Sequence, residues 1–274
     1  MESAANPRVR FVPDVVTVGL GSLVLLLHAH AFRFFYDDAF ISLRYARNFA
    51  TWGAPVYNAG ERVEGYTSFA WMALTGALLR AGVPDVAAAR LAGALSGIAL
   101  VACTWWLWRT VAPRQPWVGL FVVAGLVASA PVAAWTLGGL EPPLFAALVV
   151  ASTALAAHST ERASGGVQLG ALLAATTLAR PEGAALFAIV VAVLAARSVR
   201  DRRSRPAVAR TVLTYAVLVG AFVAWRWSYY GAPLPNTFYL KMSGDRTVML
   251  HRGIRYLRLA FDDFGHALSV LCFS

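Results

Sequence analysis

Long apolar runs alternate with short polar connections along nearly the whole chain, a pattern of membrane helices rather than of a half-buried soluble core. Val12 to Phe35, Val86 to Val111, Trp117 to Leu137, Pro142 to His158, Val167 to Leu178, Gly183 to Ala196 and Val208 to Trp227 are the predicted spans. A further, incomplete span is expected from near Leu257, so the chain is expected to be the N-terminal part of something longer. Phe69 to Ala81 is apolar but runs to only about 13 residues, short of the roughly 20 that crossing needs, and is placed as an interfacial or re-entrant helix. The first run follows Arg8 and Arg10 as a signal peptide would, but it is long enough to span and lacks a small-residue cleavage site.

Composition agrees with this pattern. Of 274 residues, 58% are hydrophobic and 14% charged, too apolar a balance for a soluble domain. The net charge of +10 invites a nucleic-acid reading, which its distribution argues against. Arg197, Arg200, Arg202, Arg203, Arg205 and Arg210 fall in one short connection between apolar runs, where the positive-inside rule places a cytoplasmic loop. Cys103 and Cys272 both lie in apolar runs and suggest neither a disulfide framework nor a thiolate metal site.

The chemistry concentrates in Tyr36 to Phe69, YDDAFISLRYARNFATWGAPVYNAGERVEGYTSF. Asp37 and Asp38 follow the first span directly, and at a bilayer's centre each would cost roughly 2.5 to 3.5 kcal/mol, so they belong at an aqueous edge. Ala39 to Trp52 lacks Gly and Pro and sorts onto helical faces: Tyr45, Phe49 and Trp52 form an aromatic stripe, and Asp37, Arg44 and Asn48 fall along another. This predicts an amphipathic surface helix whose N-terminus favours ionised aspartates. A plain N-cap beside a solvated acid fits the same residues.

Parity of crossings tests the layout. If Phe69 to Ala81 does not cross, the Asp37 to Thr67 stretch, Gly138-Gly139-Leu140-Glu141-Pro142, Ala179-Arg180-Pro181-Glu182-Gly183 and Tyr230 to Lys241 all lie outside, opposite the arginine cluster. One face then gathers Asp37, Asp38, Glu61, Glu64, Glu141 and Glu182 with Arg44, Arg47, Arg62, Arg180 and Lys241, and with Tyr57, Tyr66 and Tyr239. Such a mixture suits a polar substrate carrying an anion: cations hold a phosphate, tyrosines pack on sugars, and a carboxylate takes a proton from an alcohol. Singly, Glu141 also reads as a helix-start acid, Arg180-Pro181-Glu182 as a salt-bridged turn, and Asn236 as turn chemistry.

DDAFISLRYARNFATWGAPVYNAGERVEGYTSFAW, GGLEPPLF, LARPEG and YYGAPLPNTFYLK, in that order, resemble the motif set of membrane-embedded GT-C glycosyltransferases, in particular the terminal arabinofuranosyltransferase family of mycobacterial cell-wall synthesis and its bacterial relatives. Pro142 stands where relatives are expected to carry Thr after the motif glutamate, which removes a hydroxyl. The resemblance implies an all-α polytopic bundle of GT-C type over residues 1–274, with juxtamembrane helices and the catalytic acid in a first external loop of about 36–68. It also implies a polyprenyl-phosphate sugar donor and a polysaccharide, lipid or protein acceptor at the outer face of the cytoplasmic membrane. On that pattern Asp37 is the base, and Asp38 orients the acceptor or helps hold a divalent cation with Glu64 or Glu141. Arg44, Arg180 and Lys241 meet the donor phosphate, and Glu64, Tyr66, Thr67, Glu141, Glu182, Asn236 and Tyr239 bind sugar or acceptor. Two alternatives stand beside it, a transporter or flippase of a lipid-linked sugar and a non-catalytic assembly subunit; the chain shows no internal repeat of the kind many transporters have.

Overall fold

The computed structural model describes residues 7–32, 34–158, 163–242 and 246–273, and among them the regular structure is entirely helical. In chain order the helices are α1 (Pro7–Phe32), α2 (Ala39–Trp52), α3 (Phe69–Arg80), α4 (Asp85–Val111), α5 (Pro116–Ala128) and α6 (Ala130–Thr136). There follow α7 (Pro142–His158), α8 (Ala163–Ala179), α9 (Gly183–Arg200), a 3-10 turn at Arg202–Ser204, α10 (Arg205–Tyr230), α11 (Asn236–Met242) and α12 (Arg246–Phe273).

Among the described residues four helices are long and apolar enough to cross a membrane, Asp14–Phe32, Asp85–Val111, Gly183–Arg200 and Arg202–Tyr230. The pair α5 and α6 makes a fifth crossing if counted as one bent span. The expected amphipathic helix after the aspartates is α2, which ends where Gly53 adopts φ 69° and its N–H donates to the Phe49 carbonyl. The apolar segment α3 has 12 residues, too few to cross. The last helix starts at Arg246, ahead of Leu257, and carries Arg252, Arg255 and Arg258 on exposed positions.

A correction concerns Trp117 to Leu137. It is not one straight helix: α5 and α6 meet at Ser129 with a bend of 62°. The cause is Pro131, which has no N–H to offer the carbonyl of Val127 and whose ring crowds it. The orphaned Val127 carbonyl accepts a hydrogen bond of 2.8 Å from Nδ1 of His28 on α1, which fixes the imidazole as the Nδ1–H form.

Several apolar clusters join the helices. Leu25 and Ala29 of α1 meet Val101 and Trp105 of α4, Val123 and Val127 of α5 and Ala133 of α6. Leu169, Leu173, Val190, Leu194 and Tyr215 close α8, α9 and α10 around one another, with the Phe187 and Tyr215 rings stacked at 3.6 Å. Glycines set the closest approaches: a Cβ on Gly166 or Gly170 of α8 would run into the backbone carbonyls of Ala207 or Thr211 on α10. The α10 axis then fixes which chain ends are far apart. Its 26 residues extend about 39 Å at the helical rise, so the arginine-rich turn before it and Tyr230 at its end lie a bilayer's thickness apart.

Replacing His28 by Leu leaves the Val127 carbonyl without a donor and is expected to cost about 1–3 kcal/mol. Unfolding of purified protein in detergent measures this, and an unchanged midpoint would dismiss the role given to His28.

Candidate active site

The connection between α2 and α3 is folded back on α2 by that helix's polar stripe. Arg44 donates from Nε to the Tyr57 carbonyl at 2.8 Å and from Nη2 to Asn58 Oδ1 at 3.0 Å, and its guanidinium lies 4.5 Å from the Tyr57 ring centre. Asn48 Nδ2 donates to the carbonyls of Val56 and Tyr57. Tyr45, buried in the aromatic stripe, donates to the Val63 carbonyl and accepts from the Gly65 N–H, both at 2.8 Å. Much of what looked like substrate-facing polarity on α2 therefore holds the 55–65 segment in place.

Asp37 and Asp38 stand at the start of α2 with both side chains exposed. Asp38 occupies the N-cap position without a side-chain cap bond, while Asp37 Oδ1 accepts from the Asp38 N–H at 2.9 Å. Neither carboxylate has a cation partner among the described residues.

Contacts on two flanks gather the other connections around this one. Tyr36, next to Asp37, donates its N–H to the Gly138 carbonyl at 2.9 Å, and Gly139 with φ 92° packs so tightly that a Cβ there would sit 2.6 Å from the Phe35 ring. Two residues on, Glu141 Oε1 receives Arg180 Nη1 at 2.6 Å, and Arg180 Nη2 reaches Glu182 Oε1 at 3.0 Å. On the other flank the Asn236 N–H donates to the Glu64 carbonyl at 3.0 Å, and Tyr230 Oη donates to the Pro55 carbonyl at 2.6 Å. The four connections grouped by parity thus meet at one end of the bundle.

The predicted residues divide by exposure. Thr67, Glu182, Asn236 and Tyr239 are exposed together with Asp37, Asp38 and Arg44. Glu141, Glu64 and Tyr66 are buried, Tyr66 sharing a 3.1 Å hydrogen bond with Tyr230 Oη. The side chain of Lys241 lies outside the described residues. Asp38, Glu64 and Glu141 do not form a common set: Glu141 is taken by Arg180 and Glu64 by Arg226. Among the described residues no three His, Cys, Asp or Glu side chains are grouped to hold a metal.

Arg226 was not singled out by the sequence reading. It sits near the end of α10, with its side chain 10% exposed, its Nε 3.0 Å from Oε2 of Glu64 and its Nη1 3.4 Å from the Pro233 carbonyl. The signal was a cation inside an apolar run, which needs a counter-charge. Glu64 is 2% exposed and its Oε1 has no hydrogen-bond partner among the described residues. Burial raises its carboxyl from the ordinary 4.5 to about 7, against the lowering effect of the Arg226 charge. Arg90 was also missed. Arg62 and Arg90 lie over aromatic rings, Tyr229 at 4.9 Å and Phe35 at 5.7 Å, and neither has a carboxylate partner among the described residues. Arg47 pairs with Asp85, and Arg180 is drawn above its usual pKa first by the hydrogen bond to Glu182 and then by the Glu141 charge.

Because folded Glu64 holds its proton more tightly than the unfolded chain does, stability should fall as pH rises from about 4.5 to about 7. Melting curves across that window should show this slope in the wild type and a flatter one in Glu64→Gln. Equal slopes would place the Glu64 carboxyl in water.

The chain is 32% identical over 235 residues to the terminal beta-(1->2)-arabinofuranosyltransferase of Mycobacterium tuberculosis (strain ATCC 25618 / H37Rv). The match takes in 78% of this chain and 36% of that protein, so the chain spans little more than a third of the relative's length. No family model matches the chain. No solved structure matches it either. With the apolar helices, the likeness supports a membrane protein related to a glycosyltransferase family.

Proposed function

We propose that the chain carries the membrane-embedded catalytic part of an inverting glycosyltransferase of GT-C type, which moves arabinofuranose from a polyprenyl phosphate to an acceptor hydroxyl at the outer face of the cytoplasmic membrane. The observation that carries the reading is the meeting of the four polar connections at one end of the bundle around two exposed aspartates that have no cation partner among the described residues. The relative's printed activity supplies the reaction class and the sugar.

Asp37 takes the proton of the acceptor hydroxyl as its oxygen bonds to the anomeric carbon. The bond from that carbon to the phosphate oxygen breaks, and its electron pair leaves with the polyprenyl phosphate. Asp38, adjacent and equally open, orients the acceptor or shares a divalent cation with Asp37. Thr67, Asn236 and Tyr239 are the exposed groups for sugar hydroxyls, while Glu64, Tyr66, Glu141 and Glu182 serve the site by holding its walls.

The leaving phosphate needs a cation, an electrostatic contribution that often dominates catalysis. Arg180 is already neutralised by two carboxylates. Arg44 and Lys241 remain candidates, and Arg90 joins them with better placement. It lies over Phe35, two residues before Asp37, about a turn and a half into a crossing helix whose neighbouring Leu91 and Leu95 are 40% and 51% exposed. A cation on a lipid-facing surface at that depth is costly unless it reaches an interfacial anion.

Turnover of a radiolabelled polyprenyl-phosphate sugar by purified protein tests the reading. Asp37→Asn should lose at least about 10²-fold in rate while remaining membrane-inserted, as expected for a general base. Full activity in that variant, or translocation of the labelled lipid without transfer, would overturn it. Arg90→Gln should raise KM for the donor more than KM for the acceptor; the reverse pattern would remove Arg90 from the phosphate.

A further inference from the structure

At the end of the bundle away from the aspartates, a cavity of about 220 Å³ opens between α8, α9 and α10. Its walls are apolar, with Leu169, Leu194 and Val208 among them, and its rim is polar, with Arg197, Asp201 and Ser204. Around it lie the arginines of the turn between two membrane-crossing helices. Arg197, Arg200, Arg202, Arg203, Arg205 and Arg210 are all exposed, and none has a carboxylate partner among the described residues. The acid within the turn does not neutralise them: Asp201 Oδ1 accepts from the backbone N–H of Arg203 at 3.1 Å. Arg205 donates from Nε to the Ser198 carbonyl at 3.3 Å, and Ser204 Oγ donates to the Asp201 carbonyl.

Orienting a membrane protein requires positive charge on a loop, and it requires neither a cavity nor a fixed backbone. Here the turn is a hydrogen-bonded 3-10 segment, and α8 is held against α10 by the glycine contacts of Gly166 and Gly170, so the cavity between them is bounded by packed backbone. An apolar recess with a guanidinium rim at the depth of a bilayer surface has the form of an amphiphile: acyl or glycerol carbons inside, a phosphodiester at the mouth.

We infer that this recess binds one anionic glycerophospholipid from the leaflet opposite the candidate active site, with its phosphate held by Arg197 on the rim and by Arg205, which directly follows the rim residue Ser204. The Asp201 carboxylate on the same rim bars a second anion and favours a headgroup bearing hydroxyls, which it can accept from. The inference is independent of any glycosyl transfer.

Native mass spectrometry of detergent-purified protein, delipidated and then exchanged with phosphatidylglycerol or phosphatidylcholine, tests it. Wild-type protein should retain one phosphatidylglycerol in preference to phosphatidylcholine. Arg197→Gln and Arg205→Gln should each reduce that retention roughly fivefold, as for the loss of one interfacial basic contact. Arg114→Gln, on the exposed connection between α4 and α5 at the same end of the bundle, should leave it unchanged. Equal loss from Arg114→Gln would mean a diffuse surface charge and no site. No preference between the two lipids would equally refute it, as would full retention in both arginine variants. Should Arg205→Gln fold poorly, Val208→Phe, which fills the recess without touching a charge, must show the same loss.

Discussion

A charge drawn out of water must meet its opposite, and on the site end of this bundle the opposite is supplied each time by a different part of the chain. Glu64 of the first connection finds Arg226 at the end of α10, and Glu141 before α7 finds Arg180 after α8. Breaking such a partly desolvated pair strands a charge at a cost of several kcal/mol, so the connections are not free to drift apart. Backbone contacts complete the closure, with Tyr36 bonded to Gly138 and Asn236 bonded to Glu64. The polar connections form one assembly because Glu64 and Glu141 each take their cation from another part of the chain.

This arrangement separates groups that hold the site from groups free to act in it. The polar stripe of α2 is spent on the 55–58 turn, Tyr66 on Tyr230, and Arg180 on its two carboxylates. Among the described residues, the groups left open include Asp37 and Asp38 at the head of α2, the exposed side chains at 67, 236 and 239, and the guanidinium groups of Arg62 and Arg90 resting on aromatic faces. Exposed carboxylates, and cations without a carboxylate partner among the described residues, thus share one end of the bundle.

Local features were legible in the sequence, and long-range ones were not. The start of α2 after Asp38, its end at Gly53, the shortness of α3 and the joint placement of the four connections follow from periodicity, breakers and parity. The bend at Ser129 was missed although Pro131 announces it, because an apolar run of spanning length outweighed one proline; the compensating His28 comes from another helix and leaves no local trace. For Glu64 and Tyr66, residue type suggested substrate contact, whereas their burial depends on α10 folding over them. Arg226 was passed over as part of a span, since its partner lies in a connection far back in the chain.

The central claim is that the aspartate-bearing connection and the three later ones share one membrane face, opposite the arginine turn. Single substitutions Thr67→Cys, Glu182→Cys, Asn236→Cys and Arg202→Cys, in a background with Cys103 and Cys272 replaced by Ser, can be probed in intact cells with a membrane-impermeant thiol reagent. The first three should be labelled from outside and the Arg202 variant only after the membrane is opened. Labelling of Thr67→Cys on a different side from Glu182→Cys or Asn236→Cys would contradict the fold's convergence and the chemistry built on it.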